Sequence, residues 1–251
     1  MNNKINKPSA SALPLGGDGG GSIDYTLQMI KYNFRIIFGG KFLWFILAAL
    51  AFYFLIAIIG IYDGDIPDED FVYGILIFPA ILLIFYPMTF GIQNDLDTGI
   101  LEILFGIPNY RYKVWLVRLV MVFTIVFFLL IGFALLSKYL LAPVHVFEMV
   151  AQLMFPFLFL GNMAFWLSTV IKNGNGTAVV VVVIGVLLSV VSGTLENTMW
   201  DIFIVPFDVP NNVSEMLWGN ILIKNRLFLV VGSIIFFLGG LFNLQKRERF
   251  I

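Results

Sequence analysis

The residue types that most often carry out catalysis are scarce in this chain. Its 251 residues include no cysteine and a single histidine, His145. Thiolate nucleophiles, disulfides and cysteine metal sites are therefore excluded, and one histidine cannot build a histidine metal cluster. An intramembrane protease or transferase needs a nucleophile with a base, or a metal cluster. We therefore expect no enzymatic activity in this chain.

The most informative segment is the loop 93–113, which reads QNDLDTGILEILFGIPNYRYK. Asp97 or Thr98 can cap a helix whose first turns contain Glu102, and Pro108 ends that helix. The helix carries a broad apolar surface, made of Ile100, Leu101, Ile103, Leu104 and Phe105. Such a surface must be covered, either by neighbouring helices of this chain or by a groove in a soluble partner.

The elements that position this loop are apolar helices. The chain is 60% hydrophobic and only 12% charged, about half the charged fraction of a typical soluble domain. A span across the hydrocarbon core needs roughly 20 apolar residues, and six segments qualify: Phe42–Tyr62, Val72–Ile92, Val114–Ser137, Phe147–Ile171, Thr177–Thr194 and Leu227–Leu244. These segments predict an all-α, polytopic membrane protein, including the valine run 179–183, because an open strand in lipid leaves its backbone unpaired.

The basic residues predict the orientation of these spans. With a cytoplasmic N-terminus, twelve of the fifteen Lys and Arg lie in inner segments and three in outer ones, namely Lys138, Lys224 and Arg226. The outer loop 63–70 contains five acids and no base. This asymmetry follows the positive-inside rule, so both termini are expected in the cytoplasm.

Two segments precede the first span. Residues 1–22 are rich in Asn, Ser, Pro and Gly, and they predict a disordered tail. The Gly-rich run 16–22 lacks the lysine of a phosphate-binding loop, so we expect no ATP site in it.

The second segment, Asp24–Lys41, is amphipathic. Phe34 belongs to an apolar stripe at helical spacing, while Lys31 and Arg35 fall on the other side. We expect an interfacial helix whose bases bind membrane lipid. The alternative is an extension of span one, which Gly39-Gly40 disfavours.

The segment 195–225, before the last span, is too apolar for an ordinary loop. It contains Trp200, Phe203 and Trp218, yet Asp201 and Pro206 argue against a lipid-exposed span. Irregular backbone at membrane depth needs cover from protein or water. The sequence therefore predicts a re-entrant segment, with one or two short helices entering from the outer face.

Few ionisable residues fall inside the predicted spans. Arg118 lies one turn into span three and is interpreted as an anchor that reaches the headgroups. His145 and Glu148 lie at the outer end of span four. An ion-coupled carrier normally needs a carboxylate near mid-membrane, so transport by this chain would draw its energy from another source.

The loop 93–113 resembles a loop of type-2 ATP-binding-cassette exporter permeases. The resemblance rests on Gly99-Ile100-Leu101-Glu102, on Pro108, and on a base at Arg111. In that family an acidic residue, Gly-Thr-Leu-Glu, a later Pro and a base usually precede span three. This chain differs at Ile100, where Thr is common, and at Gln93, where Glu is common.

In that family the loop forms a coupling helix that fits a cleft of the ATPase subunit. The resemblance implies a permease domain over residues 23–251, a second permease subunit, identical or different, and a separate ATPase that binds ATP and Mg. The implied coupling residues are Asp97, Gly99, Ile100, Leu101, Glu102, Leu104, Phe105, Pro108 and Arg111. We expect an exporter subunit in a bacterial inner membrane, with no cofactor and no nucleic-acid partner. The alternative is a membrane anchor or scaffold that transports nothing.

Overall fold

The computed structural model describes residues 42–63, 67–97, 115–207, 209–211 and 213–244, apart from the side chains of residues 63 and 95–97. The predicted tail 1–22 and the interfacial helix with Lys31, Phe34 and Arg35 lie outside this part of the chain and stay predictions. The described residues form six α-helices: α1 Phe42–Asp63, α2 Glu69–Asp97, α3 Val117–Leu140, α4 Val146–Ile171, α5 Gly174–Thr194 and α6 Glu215–Asn243.

All six helices are long and apolar enough to cross a membrane. The described residues contain no strand, so the all-α prediction is confirmed for them, as expected for an integral membrane protein. The valine run 179–183 lies within α5. A helix satisfies its backbone groups internally, which is what a lipid environment requires.

Helices α2 and α4 form the centre of the bundle, and each contacts four other helices. Helices α4 and α6 run parallel, because the side chains that join them keep sequence offsets of 71 to 74. These hydrogen bonds run from Arg226 Nε to Gln152 Oε1 (2.9 Å), from Asn162 Nδ2 to Ser233 Oγ (2.7 Å) and from Asn243 Nδ2 to Thr169 Oγ1 (3.1 Å). The three bonds fix the register of α6 along its length.

Glycines of α6 receive aromatic rings of α4. A Cβ at Gly232 would lie 2.6 Å from Phe159, and one at Gly240 would lie 2.5 Å from Phe165. In lipid, helices associate through close packing at small residues, since there is no hydrophobic gain in leaving the solvent. The α4–α6 contact therefore depends on the absence of side chains at these glycines.

The two ends of the bundle differ in character. Helices α2, α4 and α6 begin at one end, which we call the acidic end because Asp68, Glu69, Asp70, Glu196 and Asp201 lie in its turns and first helical turns. The Nδ1 atom of His145 lies 3.1 Å from Glu69 Oε1 and joins the starts of α4 and α2 there. The opposite end, which we call the loop end, carries the end of α2, the start of α3 and the turn Lys172-Asn173.

The segment 195–225 differs from its prediction. Its described residues before Ser214 form turns and bends without the expected short helices, and α6 begins at Glu215. Leu227 is therefore not the start of the last helix, and Arg226 lies inside α6, where it is 9% exposed. Helix α6 continues towards the acidic end because its polar residues find partners in the bundle.

The position of the Arg118 side chain differs from the prediction of an anchor that reaches the headgroups. Its side chain is 8% exposed, and its guanidinium carbon lies 5.3 Å from the centroid of the Trp115 ring. A Cβ at Gly91 of α2 would lie 3.4 Å from Arg118 Nη2. The guanidinium is therefore packed between α2 and α3, where a cation over an aromatic face is stabilised.

Candidate functional site

The predicted coupling residues begin where the description of α2 stops. Asp97 is the last residue of α2, and its side chain is not described. Gly99, Ile100, Leu101, Glu102, Leu104, Phe105, Pro108 and Arg111 lie outside the described residues. The described structure therefore includes the first residues of the loop 93–113, at the end of α2, which we call the root of the loop. The docking surface of the loop stays a prediction.

The root of the loop is joined to α5. Gln93, one turn before the end of α2, accepts a hydrogen bond at Oε1 from the backbone N–H of Gly174. Gly174 is the first residue of α5, and its N–H belongs to the donors that a helix start leaves without an internal partner. Gln93 thus caps the first turn of α5 from another helix.

This junction requires glycine at position 174. A Cβ there would overlap Gln93 Oε1 and would lie 2.7 Å from Cδ1 of Phe90. The preceding Asn173 accepts a bond from the N–H of Gly176 at 3.1 Å and is the N-cap of α5. The loop ends of α2 and α5 are therefore held together by contacts at several atoms.

A cleft of about 900 Å³ lies between α2, α4 and α5. Its α2 wall runs from Asp70 to Phe85, four helical turns or roughly 22 Å. Most of the lining is apolar, and the α5 wall includes the small residues Gly185, Ser189 and Gly193. A cavity of this size is within the range of small-molecule sites.

The acidic end of the cleft carries three carboxyl groups, on Asp70, Glu196 and Asp201. Asp201 is 6% exposed. Its Oδ1 atom accepts hydrogen bonds from Ser192 Oγ and, at 2.9 Å, from the N–H of Phe203. These bonds attach the turn after α5 to the end of α5 itself.

Next to Asp201 lies a buried polar network centred on Arg226. Arg226 Nε donates to Gln152 Oε1, and its Nη1 donates to Asn225 Oδ1, both at 2.9 Å. Asn225 Nδ2 in turn donates to the backbone carbonyls of Met199 and Asp201, at 3.0 and 2.7 Å. The network therefore ties the irregular segment after α5 to α4 and α6.

Some polar atoms near this network have no hydrogen-bond partner among the described residues. They include the Tyr73 hydroxyl, Arg226 Nη2 and Trp218 Nε1. The Tyr73 hydroxyl interacts electrostatically with the Arg226 guanidinium, but the contact falls outside hydrogen-bonding geometry. Leaving buried polar atoms unsatisfied costs free energy, so these atoms reduce the net stabilisation that the network provides.

Burial raises the pKa of the Asp201 carboxyl above its usual value of 3.8, because desolvation of the carboxylate outweighs the bonds from Ser192 and Phe203 and the nearby charge of Arg226. The folded chain therefore binds the Asp201 proton more tightly than the unfolded chain does. The resulting stabilisation is complete below the usual pKa and is lost as the pH rises through the raised pKa.

The variants Asp201→Asn and Asp201→Ala separate the effect of the Asp201 charge on stability from the effect of its hydrogen bonds. The amide oxygen of Asn still accepts from Ser192 and Phe203, so Asp201→Asn should be at least as stable as wild type at pH 7 and should lack the pH dependence. Asp201→Ala leaves both donors unsatisfied, which costs about 1–3 kcal/mol, or roughly 2–12 °C in the thermal unfolding midpoint. Midpoints measured in lipid nanodiscs between pH 4 and 7 test this; equal losses in the two variants would contradict it.

The sequence analysis missed the site residues Arg226, Asn225 and Gln152, because the first two were assigned to an outer loop. A usable signal was present in the spacing of Trp218, Asn225 and Leu229, which places them on one helical face. All three are buried in α6. The absence of proline after Pro210 also allows one unbroken helix.

No protein-family model matches this chain, and no curated protein or solved structure matches it either. Its function must therefore be inferred from its own residues.

Proposed function

We propose that this chain is the membrane-spanning permease subunit of an ATP-driven exporter. In this proposal a separate ATP-binding-cassette ATPase binds ATP and Mg and docks on the loop 93–113. A second permease subunit, identical or different, completes the transmembrane pathway. The loop end then faces the cytoplasm with both termini, and the acidic end faces outwards, in agreement with the distribution of Lys and Arg along the sequence.

The observation that carries this proposal is the path from the loop to the cleft. Helix α2 is continuous from Glu69 to Asp97, so the element that leads into the loop also forms a wall of the cleft. The apolar surface of Leu101 and Leu104 at the end of this path is suited to a groove in a soluble partner. A partner that moves the loop would therefore move a cleft wall.

The contact between Gln93 and Gly174 extends this path to a second wall. Because Gln93 Oε1 binds the N–H of the first residue of α5, a displacement of the loop end of α2 also displaces the start of α5. Both helices line the cleft. ATP-driven closure of the ATPase would change the width of the cleft through these two helices, which is the coupling that an exporter requires.

The alternative function is a membrane anchor or scaffold that transports nothing. A scaffold has no need of a deep cleft between its helices, whereas a transport subunit needs a place where its substrate binds. The cleft of about 900 Å³ therefore favours a transport subunit over a scaffold.

The coupling proposal predicts that a charge in the apolar centre of the loop prevents ATPase docking. Leu101→Asp should abolish co-purification with the separate ATP-binding-cassette ATPase of this proposal, because an aspartate cannot be buried in an apolar groove without a partner. The variant should still insert in the membrane, since Leu101 lies outside the six helices. Co-purification from detergent extracts and ATP hydrolysis in nanodiscs measure the two effects.

Glu102→Ala is the matched control for this experiment. It changes the neighbouring residue of the same loop, and one partly exposed ionic contact is worth about 1 kcal/mol or less. We expect weakened but measurable association. A Leu101→Asp complex that purifies intact with full ATPase activity would disprove the coupling role of the loop.

A further inference from the structure

The chemical character of the cleft changes along its length. Away from the acidic end its walls are apolar, with Ile77, Ile81 and Leu82 from α2 and Val181 and Val186 from α5. At the acidic end it is lined by Asp70, Glu196 and Asp201. A ligand that matches both regions has a polar or charged group at one end and an apolar body.

The charge of the lining is negative. No lysine or arginine lies among the cleft residues in the described part of the chain, whereas three carboxyl groups do. Arg226 is close enough to Asp201 to interact with it electrostatically, but it is not part of the lining. Even when Arg226 offsets one carboxylate, the remaining two favour a cation over an anion in a site partly shielded from water.

Aromatic side chains add to this preference. Phe78, Phe85, Phe203 and Trp218 line the cleft, and the faces of aromatic rings attract organic cations. Trp218 is 4% exposed, and its Nε1 has no hydrogen-bond partner among the described residues. Trp218 is therefore a buried wall residue that is held by packing and not by a hydrogen bond of its indole N–H.

The space of the cleft exists because α5 carries small residues on this side. A Cβ at Gly185 or at Gly193 would meet no atom within 4 Å. Ser189, one turn from each of them, also lines the cleft and is exposed. The α5 wall can therefore accept a bulky side chain without a clash, and such a side chain would occupy the ligand volume.

We propose that the cleft between α2, α4 and α5 binds an amphipathic organic cation, a molecule with an aromatic or aliphatic body and a quaternary ammonium or phosphonium group. The cationic centre lies at the carboxyl groups of Asp70, Glu196 and Asp201, and the apolar body lies along α2 and α5. The identification of this ligand class as the exported substrate rests on the exporter function proposed above, whereas binding itself does not.

Binding of two ions of equal shape and opposite charge tests the proposal. The full-length chain is placed in nanodiscs of zwitterionic phosphatidylcholine, and uptake of radiolabelled tetraphenylphosphonium is compared with that of tetraphenylborate. We expect saturable binding of one tetraphenylphosphonium per chain, and for tetraphenylborate only the uptake of protein-free nanodiscs. Equal binding of both ions, as in a cleft filled by lipid tails, would overturn the proposal, and so would an absence of binding, as in a cleft covered by a second copy.

Variants of the chain locate the bound cation. The double variant Asp70→Asn/Glu196→Gln should lower tetraphenylphosphonium affinity on the order of tenfold, through the loss of charge-assisted contacts. Gly185→Phe and Ser189→Phe, which fill the cleft, should each abolish saturable binding. Gly132→Phe is the control, because Gly132 lies exposed on α3 with no atom within 4 Å of a Cβ.

The results of this experiment are independent of the coupling experiment. Unchanged binding in monodisperse preparations of both cleft-filling variants would overturn the cation site and leave the exporter proposal untouched. If the wild-type chain does not associate with an ATPase, the exporter proposal is removed. The cation site would still be detected, because its assay uses nanodiscs without any ATPase.

Discussion

The Gly240→Leu variant is expected to lose most of its folded, monodisperse protein. A Cβ at position 240 would lie 2.5 and 2.7 Å from two ring atoms of Phe165. That ring cannot move aside freely, because Phe165 is in the core and its centroid is 6.1 Å from that of Trp115. Overpacking of a core costs about 1–3 kcal/mol and occasionally more. We expect the upper end of this range, with a fall of roughly 6–12 °C in the thermal unfolding midpoint.

Gly219→Leu provides the same substitution in the same helix without the clash. A Cβ at Gly219 would meet no atom within 4 Å, and replacing glycine in a helix by leucine gains up to about 1 kcal/mol of helix propensity. The midpoint of this variant should be unchanged or slightly higher. Size-exclusion profiles and unfolding midpoints in lipid nanodiscs compare the two variants. Similar losses in both would show that the clash with Phe165 does not cause the loss in Gly240→Leu.

The Arg226→Met variant is expected to be the most destabilised of the single charge removals. It takes away the donors to Gln152 Oε1 and Asn225 Oδ1, and it leaves Asp201 without its nearby positive charge. Removing one partner from a buried charged network costs about 3–5 kcal/mol, because the remaining groups stay desolvated. The unfolding midpoint should fall by roughly 6–20 °C.

Lys224→Met removes the same charge from the same helix at an exposed position. Its effect should stay within about 0.5 kcal/mol. The double variant Arg226→Met/Asp201→Asn should recover part of the loss, since the isolated carboxylate is then neutral; such non-additivity is expected of residues in one network. Equal midpoints for Arg226→Met and Lys224→Met would mean that the network contributes nothing to folding.

The number and type of the helices were readable from the sequence, because the hydropathy of a segment reports the solvent that it requires. All six predicted segments overlap helices that are apolar enough to cross a membrane. Their ends were less well predicted, since helix ends depend on capping. Asn173 caps α5 at Gly174, before the first residue that hydropathy alone selects, Thr177.

The start of α6 was predicted wrongly for a related reason. Asn225 and Arg226 are polar, so the hydropathy pattern places the start of the last span at Leu227, yet α6 begins at Glu215. Their burial is compensated by Gln152 of α4 and by the carbonyls of Met199 and Asp201. Partners so distant along the chain cannot be recognised from the local sequence.

The candidate site also has one part that the local sequence predicts and another that depends on contacts between distant segments. The sequence by itself determined an apolar segment after α2 with a motif that resembles a coupling helix, because Leu101 and Leu104, whose docking role is a prediction, are close neighbours along the chain. Only the tertiary structure decided that Gln93 meets Gly174 and that Asp70, Glu196 and Asp201 meet at one end of a cleft. A local pattern reflects what each segment needs from its surroundings, whereas a cleft is the space left between segments that fold together from distant positions.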